Sequence, residues 1–214
     1  PLTAAFLGLP IGVFSMIGAP LSARMVERYG PRAVVGTGLL LTTVGLTMFG
    51  WVTPTTSAGL FLMAAALIGM GLGQTTAPST TLIITSVPRS KSGVGSAVND
   101  LSRELGGALG IAVLGSVLST VYQHRVTPEL VSLGLPREAA NSVYSTLGAA
   151  SRLTPEVAQT VRHLATSAFA EAFGFAMLGA AAIMLLNSIL VWVRQVRPEA
   201  VLAESLEASG LADR

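Results

Sequence analysis

No cysteine occurs in the 214 residues, so disulfides, thiolate metal ligands and cysteine nucleophiles are excluded. Charge is scarce too: Asp, Glu, Lys and Arg make up 11% of the chain, against roughly a quarter in soluble domains. The two histidines, His124 and His163, stand beside no second ligand pattern, so no metal site is expected. Ser-His-Asp, Gly-Lys-Ser/Thr and zinc-ligand patterns are all missing, so nothing supports a hydrolase, an ATP-driven pump or a bound cofactor. Lysine occurs once, at Lys91, and the other twelve basic residues are arginines lying mostly between apolar blocks. The formal charge of +2 therefore reflects topology and gives no ground for nucleic-acid binding.

What is abundant is apolar: 51% of residues are hydrophobic, and mean hydropathy is +0.66. The expected fold class is an all-α, polytopic membrane helix bundle. Five spans are legible, at about 2–21, 33–52, 58–87, 93–121 and 169–193, each long enough for a hydrocarbon core of about 30 Å. Pro10 and Pro20 should kink the first, and Pro78 should break the third. Gly30-Pro31 can stop one helix and start the next, while Thr53-Pro54-Thr55-Thr56-Ser57 favours a tight turn. Residues 123–166 are more polar and read as a water-exposed outer loop. Within it, Pro136-Arg137-Glu138 begins a short helix, and Thr154-Pro155-Glu156 carries the cap, proline and acid of another. Val157, Val161, Leu164 and Ala168 then recur at helical spacing. Residues 194–214 form a polar tail. The connectors around Arg24 to Arg32, Arg89 to Lys91 and Arg194 to Arg197 hold seven basic residues, against none in the Thr53 to Ser57 turn. By the positive-inside rule those connectors, and the C-terminus, face the cytoplasm.

The fourth span is the unusual one, because Asn99, Asp100, Arg103 and Glu104 enter an otherwise lipid-compatible helix. At 100° per residue, Asp100, Arg103, Glu104 and Gly107 share a face, while Ser102, Gly106 and Gly110 form a small-residue ridge suited to helix packing. An ionised group at the centre of a membrane helix costs about 2.5 to 3.5 kcal/mol, so such groups pair or face water. Arg103 can neutralise one acid and leave the other, and Glu104, about 17 Å along the helix from Gly93, is the deeper of the two. A carboxylate meeting desolvation and a cation in turn can load and release a proton. The alternative is that the bilayer begins at Leu105, which leaves Asp100 to Glu104 on a cytoplasmic helix extension. In the third span, Gly69-Met70-Gly71-Leu72-Gly73-Gln74 places close-packing glycines before a hydrogen-bonding side chain. Gln74 reads equally as a pathway residue and as part of a structural kink.

Two segments resemble the major facilitator superfamily. Ala23-Arg24-Met25-Val26-Glu27-Arg28-Tyr29-Gly30-Pro31-Arg32 resembles its loop signature Gly-x-x-x-Asp-Arg-x-Gly-Arg-Arg. Glu27, Arg28, Gly30 and Arg32 match in chemistry, whereas Ala23, Glu27 and Pro31 depart from the family residues. Ser96 to Gly110 looks like the penultimate helix of the fourteen-helix drug:proton antiporters of that superfamily. The resemblance implies that the five spans are the last five of fourteen, forming most of the C-terminal half of the fold. The N-terminal half of the same transporter would then be their partner, and the chain, which opens on Pro1 inside an apolar segment, would be a fragment. It further implies a conformational latch at Glu27, Arg28, Gly30 and Arg32, with proton coupling or cation recognition at Asp100 and Glu104. The expected function is proton-coupled efflux of drugs or other small amphipathic molecules across a bacterial inner membrane, with lipid, protons and a small-molecule substrate as partners. Other solute carriage by the same fold, of sugar, metabolite, siderophore or lipid, and a non-transporting scaffold remain as alternatives.

Overall fold

The computed structural model describes residues 2–53, 56–151 and 153–193, with side chains from residue 8 onward. Pro54 and Thr55 of the expected turn, Arg152, and the expected tail with Arg194 and Arg197 lie outside the described residues. Those described form five α-helices and no strand: α1 (Leu2–Gly50), α2 (Ala58–Thr85), α3 (Ser92–Ser132), α4 (Val143–Ala150) and α5 (Pro155–Val193). Single turns of 3-10 helix at Arg89–Lys91 and Arg137–Ala140 introduce α3 and α4. All but α4 are long and apolar enough to cross a membrane.

The first two expected spans lie within α1, which is broken at Gly30 (φ 81°, ψ 158°). A β-carbon disfavours that left-handed φ, and Pro31 supplies the φ with which the second arm begins. Pro10 and Pro20 fall inside the first arm, and Pro78 inside α2, without ending the helix. The expected break at Pro78 is therefore absent. One lost N–H leaves a single carbonyl without its helical donor, and packing by neighbouring helices holds the rest of the ladder.

Between membrane helices there is no hydrophobic driving force, so association rests on close backbone approach. The glycines of α2 provide it on two sides. A β-carbon at Gly69 or Gly73 would run into the backbone of Ile11 or Ser15 on the first arm, and one at Gly71 into the Gly38 carbonyl of the second. The contact is mutual: a β-carbon on Gly18 would lie 2.7 Å from the Met70 carbonyl oxygen, and one on Gly45 2.6 Å from Ile68 Cγ1. The two arms run along α2 in opposite senses, as an antiparallel pair must. Threonine hydroxyls in these helices are satisfied locally: Thr42 Oγ1 donates to the Gly38 carbonyl at 3.0 Å and Thr75 Oγ1 to that of Gly71 at 2.8 Å.

α5 packs on the second arm. A β-carbon on Gly174 would sit 2.6 Å from the Gly50 carbonyl oxygen, and Ser188 Oγ donates to the Gly36 carbonyl at 3.0 Å. At 1.5 Å per residue, α3 with 41 residues is about 61 Å long and α5 with 39 is about 58 Å, twice a hydrocarbon core. The C-terminal part of α3 and the N-terminal part of α5 close on each other around Tyr122, Val126, Leu130, Val161, Ala168 and Ala172. The 3-10 turn and α4 cap this pair through Ala139, Ala140 and Ala150, so residues 123–166 form a small packed lobe, largely helical. Within it Tyr122 Oη donates to Thr146 Oγ1 at 2.9 Å, and Thr146 Oγ1 to the Ala139 carbonyl at 2.8 Å. Ser142 caps α4, exchanging bonds with Ser145. On the flank, Arg125 forms a bidentate pair with Glu171 at 2.8 and 2.9 Å.

Candidate functional site

The charged segment of α3 lies where that helix is least held. Near its start Gly95 packs on Val87, and a 3.4 Å bond joins Thr80 Oγ1 to Asn99 Oδ1. Beyond Asn99, which is buried, the helix stands clear of the bundle until Leu118 and Val121 reach the lobe formed with α4 and α5. Asp100, Arg103 and Glu104 are all exposed. Asn99 Nδ2 donates to Asp100 Oδ1 at 3.4 Å, which ties the acid to the buried amide on α2's side of the helix.

The pairing expected of Arg103 is corrected by the structure. Among the described residues the ion pair is Arg125–Glu171, and Arg103 forms none with Asp100 or Glu104. Glu104, the next residue, projects about 100° away around the helix, and exposed partners gain too little from pairing to hold a fixed geometry. Gly106 and Gly110, expected on a packing side, have no atom within 4 Å of a built β-carbon; the same is true of Gly107 and Gly115. The charged face and the small-residue ridge of α3 are thus both open, with Leu101, Leu105 and Leu109 exposed between them and Ile111 exposed on the charged face.

Gln74 sits elsewhere. It is buried at 5% exposure beside Gly38, where a glycine β-carbon would meet Gln74 Cβ at 3.1 Å, and its Oε1 has no hydrogen-bond partner. No hydrogen bond or ion pair among the described residues joins Gln74 to Asp100, Arg103 or Glu104. The sequence candidates therefore occupy two separate places on neighbouring helices.

Of the loop residues, Glu27 and Arg28 are exposed, Arg28 lying 5.5 Å over the Tyr29 ring, and Gly30 makes the bend. Arg32 reaches across the molecule. Its Nε donates to the Val191 carbonyl at 2.6 Å and a terminal nitrogen to that of Trp192, so one cation bridges two successive carbonyls of α5. Trp192 packs against Gly36, where a β-carbon would run into indole Nε1 and lie 2.9 Å from Cε2. Sequence reading did not find the Arg32 contact or the Ser188–Gly36 bond. Both join positions about 150 to 160 residues apart, and no local pattern carries such information.

Comparison with known proteins bears directly on this arrangement. A family model described as Major Facilitator Superfamily matches residues 2–128, which include both arms of α1, all of α2 and most of α3. The multidrug efflux pump LfrA of Mycolicibacterium smegmatis is 31% identical over 169 residues, covering 78% of this chain and 33% of that protein. The tetracenomycin C resistance and export protein of Streptomyces glaucescens is 26% identical over 200 residues, covering 89% and 37%. The methyl viologen resistance protein SmvA of Salmonella typhimurium is 29% identical over 198 residues, covering 90% and 39%. The chain spans about a third to two fifths of the length of these relatives. With its apolar helices, its glycine-broken loop and a family match over more than half its length, the chain is part of a multi-pass membrane protein and belongs to the major facilitator superfamily.

Proposed function

We propose that this chain is the C-terminal part of a proton-coupled exporter of small amphipathic molecules, with organic cations among them, working by alternating access and catalysing no chemical reaction. The observation that carries the reading is the pair of acids on α3. In a helix apolar enough to cross a membrane, Asp100 and Glu104 lie on a face that no other described element covers. An acid there is available to a proton, to a cationic substrate or to a second body of the same protein, and competition between the first two links their fluxes. Resemblance to proteins named for multidrug efflux and methyl viologen resistance supports the substrate class. The N-terminal half supplies the facing wall of the pathway. The membrane is a bacterial inner membrane, with the Arg24 to Arg32 and Arg89 to Lys91 connectors and the C-terminus in the cytoplasm.

The test uses the full-length transporter in inverted vesicles. Glu104→Gln should abolish proton-driven cation uptake and Asp100→Asn should reduce it several-fold, while both proteins reach the membrane in normal amount. Unchanged proton-driven uptake in both variants would remove the coupling role.

A second reading has its own support. The triacylglyceride transporter of Mycolicibacterium smegmatis is 31% identical over 198 residues, covering 87% of this chain and 33% of that protein. Under that reading the open apolar face of α3 meets an acyl chain. Lipid transfer that survives neutralisation of both acids, without any cation efflux, would favour it.

A further inference from the structure

Gln74 presents a buried side-chain acceptor that no described residue answers, beside a position in its own helix where a backbone donor is missing. Its side-chain Oε1 is buried and without a partner. Four residues on, in the position whose N–H would normally bond the Gln74 carbonyl, stands Pro78, which has no N–H and is itself buried. The nearby hydroxyls cannot serve, because Thr75 Oγ1 is engaged with the Gly71 carbonyl and Thr42 Oγ1 with that of Gly38. An unmade bond at a buried acceptor costs more than an average bond returns, and an apolar side chain of similar shape would fit this place at no loss of stability. A polar group in such a position is explained by a donor from outside the chain.

The stem of Gln74 occupies space left by Gly38. Glutamine carries no charge, so it attracts a cation only through its carbonyl dipole, far more weakly than an acid such as Glu104. What a neutral carbonyl distinguishes is whether the ligand has an N–H to give, and a site with such an acceptor discriminates strongly against an analogue that lacks it.

We propose that Gln74 is a specificity-determining residue that selects organic cations bearing N–H groups over fully N-alkylated ones. This rests on the efflux reading above and adds the substrate subclass to it. Charge selection and donor selection then reside on different helices, α3 and α2.

Thionine and methylene blue test this, since they share one phenothiazinium cation and differ in whether the terminal amines carry hydrogen or methyl groups. Uptake of each is measured in inverted vesicles holding the full-length transporter, wild type and Gln74→Leu, with thermal unfolding of both purified proteins. The expected result is a KM for thionine raised about tenfold by the substitution, the worth of a hydrogen bond to a charged donor. The KM for methylene blue stays within twofold, and the unfolding temperature is equal to or above that of the wild type. Equal loss for both dyes, no change for either, or unfolding several degrees lower would each overturn the assignment, the last by making Gln74 a packing residue. Transport of neither dye by the wild type would instead refute the cation-efflux reading, and this assignment with it.

Discussion

Arg32 holds the Val191 carbonyl oxygen at 2.6 Å, across 159 residues of sequence. A residue expected to belong to a conformational latch thus also ties α1 to α5. A helix carbonyl carries two lone pairs, so it can accept a cationic donor beside its helical bond, and charge makes that bond a strong one. Arg32→Ala should weaken the seating of α5 around Val191 by about 1 to 2 kcal/mol. Arg32→Lys should recover only part of this, because one ammonium cannot reproduce a fork that reaches two carbonyls. Hydrogen exchange over 186–193 in the detergent-solubilised protein reads the effect directly, and equal protection in all three proteins would show that the contact contributes nothing.

The glycines of α2 and α3 should respond oppositely to alanine. At Gly71 the added methyl meets the Gly38 backbone, so Gly71→Ala should destabilise by about 1 to 3 kcal/mol or force the second arm away. Gly110→Ala adds a methyl into open space and should leave the packing of this chain unaltered. If the N-terminal half rests on that ridge, Gly110→Ala lowers transport by the full-length protein while the thermal stability of the isolated C-terminal bundle stays unchanged. Comparing the two proteins in unfolding and uptake assays separates packing inside this chain from packing against another body.

In the lobe built from α3, α4 and α5 two polar contacts differ in worth. Tyr122→Phe removes a buried hydroxyl that donates to Thr146, and should cost about 1 kcal/mol. Arg125→Ala breaks a pair whose side chains are 60% and 38% exposed to solvent screening, and should cost less than the tyrosine change, and less still in high salt. Limited proteolysis of the 133–154 region is the readout. Faster cleavage for the arginine variant than for the tyrosine variant would reverse this ranking.

The sequence announced its spans because apolar runs of twenty residues have few other uses, and it announced the bend because Gly30-Pro31 has a backbone meaning of its own. Thr154-Pro155-Glu156 likewise marked where α5 begins. It did not announce that α5 would run unbroken from there to Val193, nor that α3 would continue to Ser132. Arg125, Glu129, Arg162 and Glu171 interrupt the apolar pattern there. The helical face that matters is carried by Val126, Leu130, Val161 and Ala168, whose partners lie on the opposite helix. Ser142 capping α4 was missed because its reciprocal partner is Ser145, where the familiar signature has Glu or Gln. The charged residues of α3 were visible as charges. Their lack of mutual pairing was not, since reach along a helix permits a contact without requiring it.

After Pro155 opens α5, no proline or glycine break interrupts it before Val193. Its first third is held by Tyr122 and Val126 on α3, its middle by Gly50 and its last described turns by Gly36 and Arg32 on α1. One unbroken rod thus touches both the polar lobe and the bend of α1. A shift of the lobe is carried along a single element to the indole of Trp192.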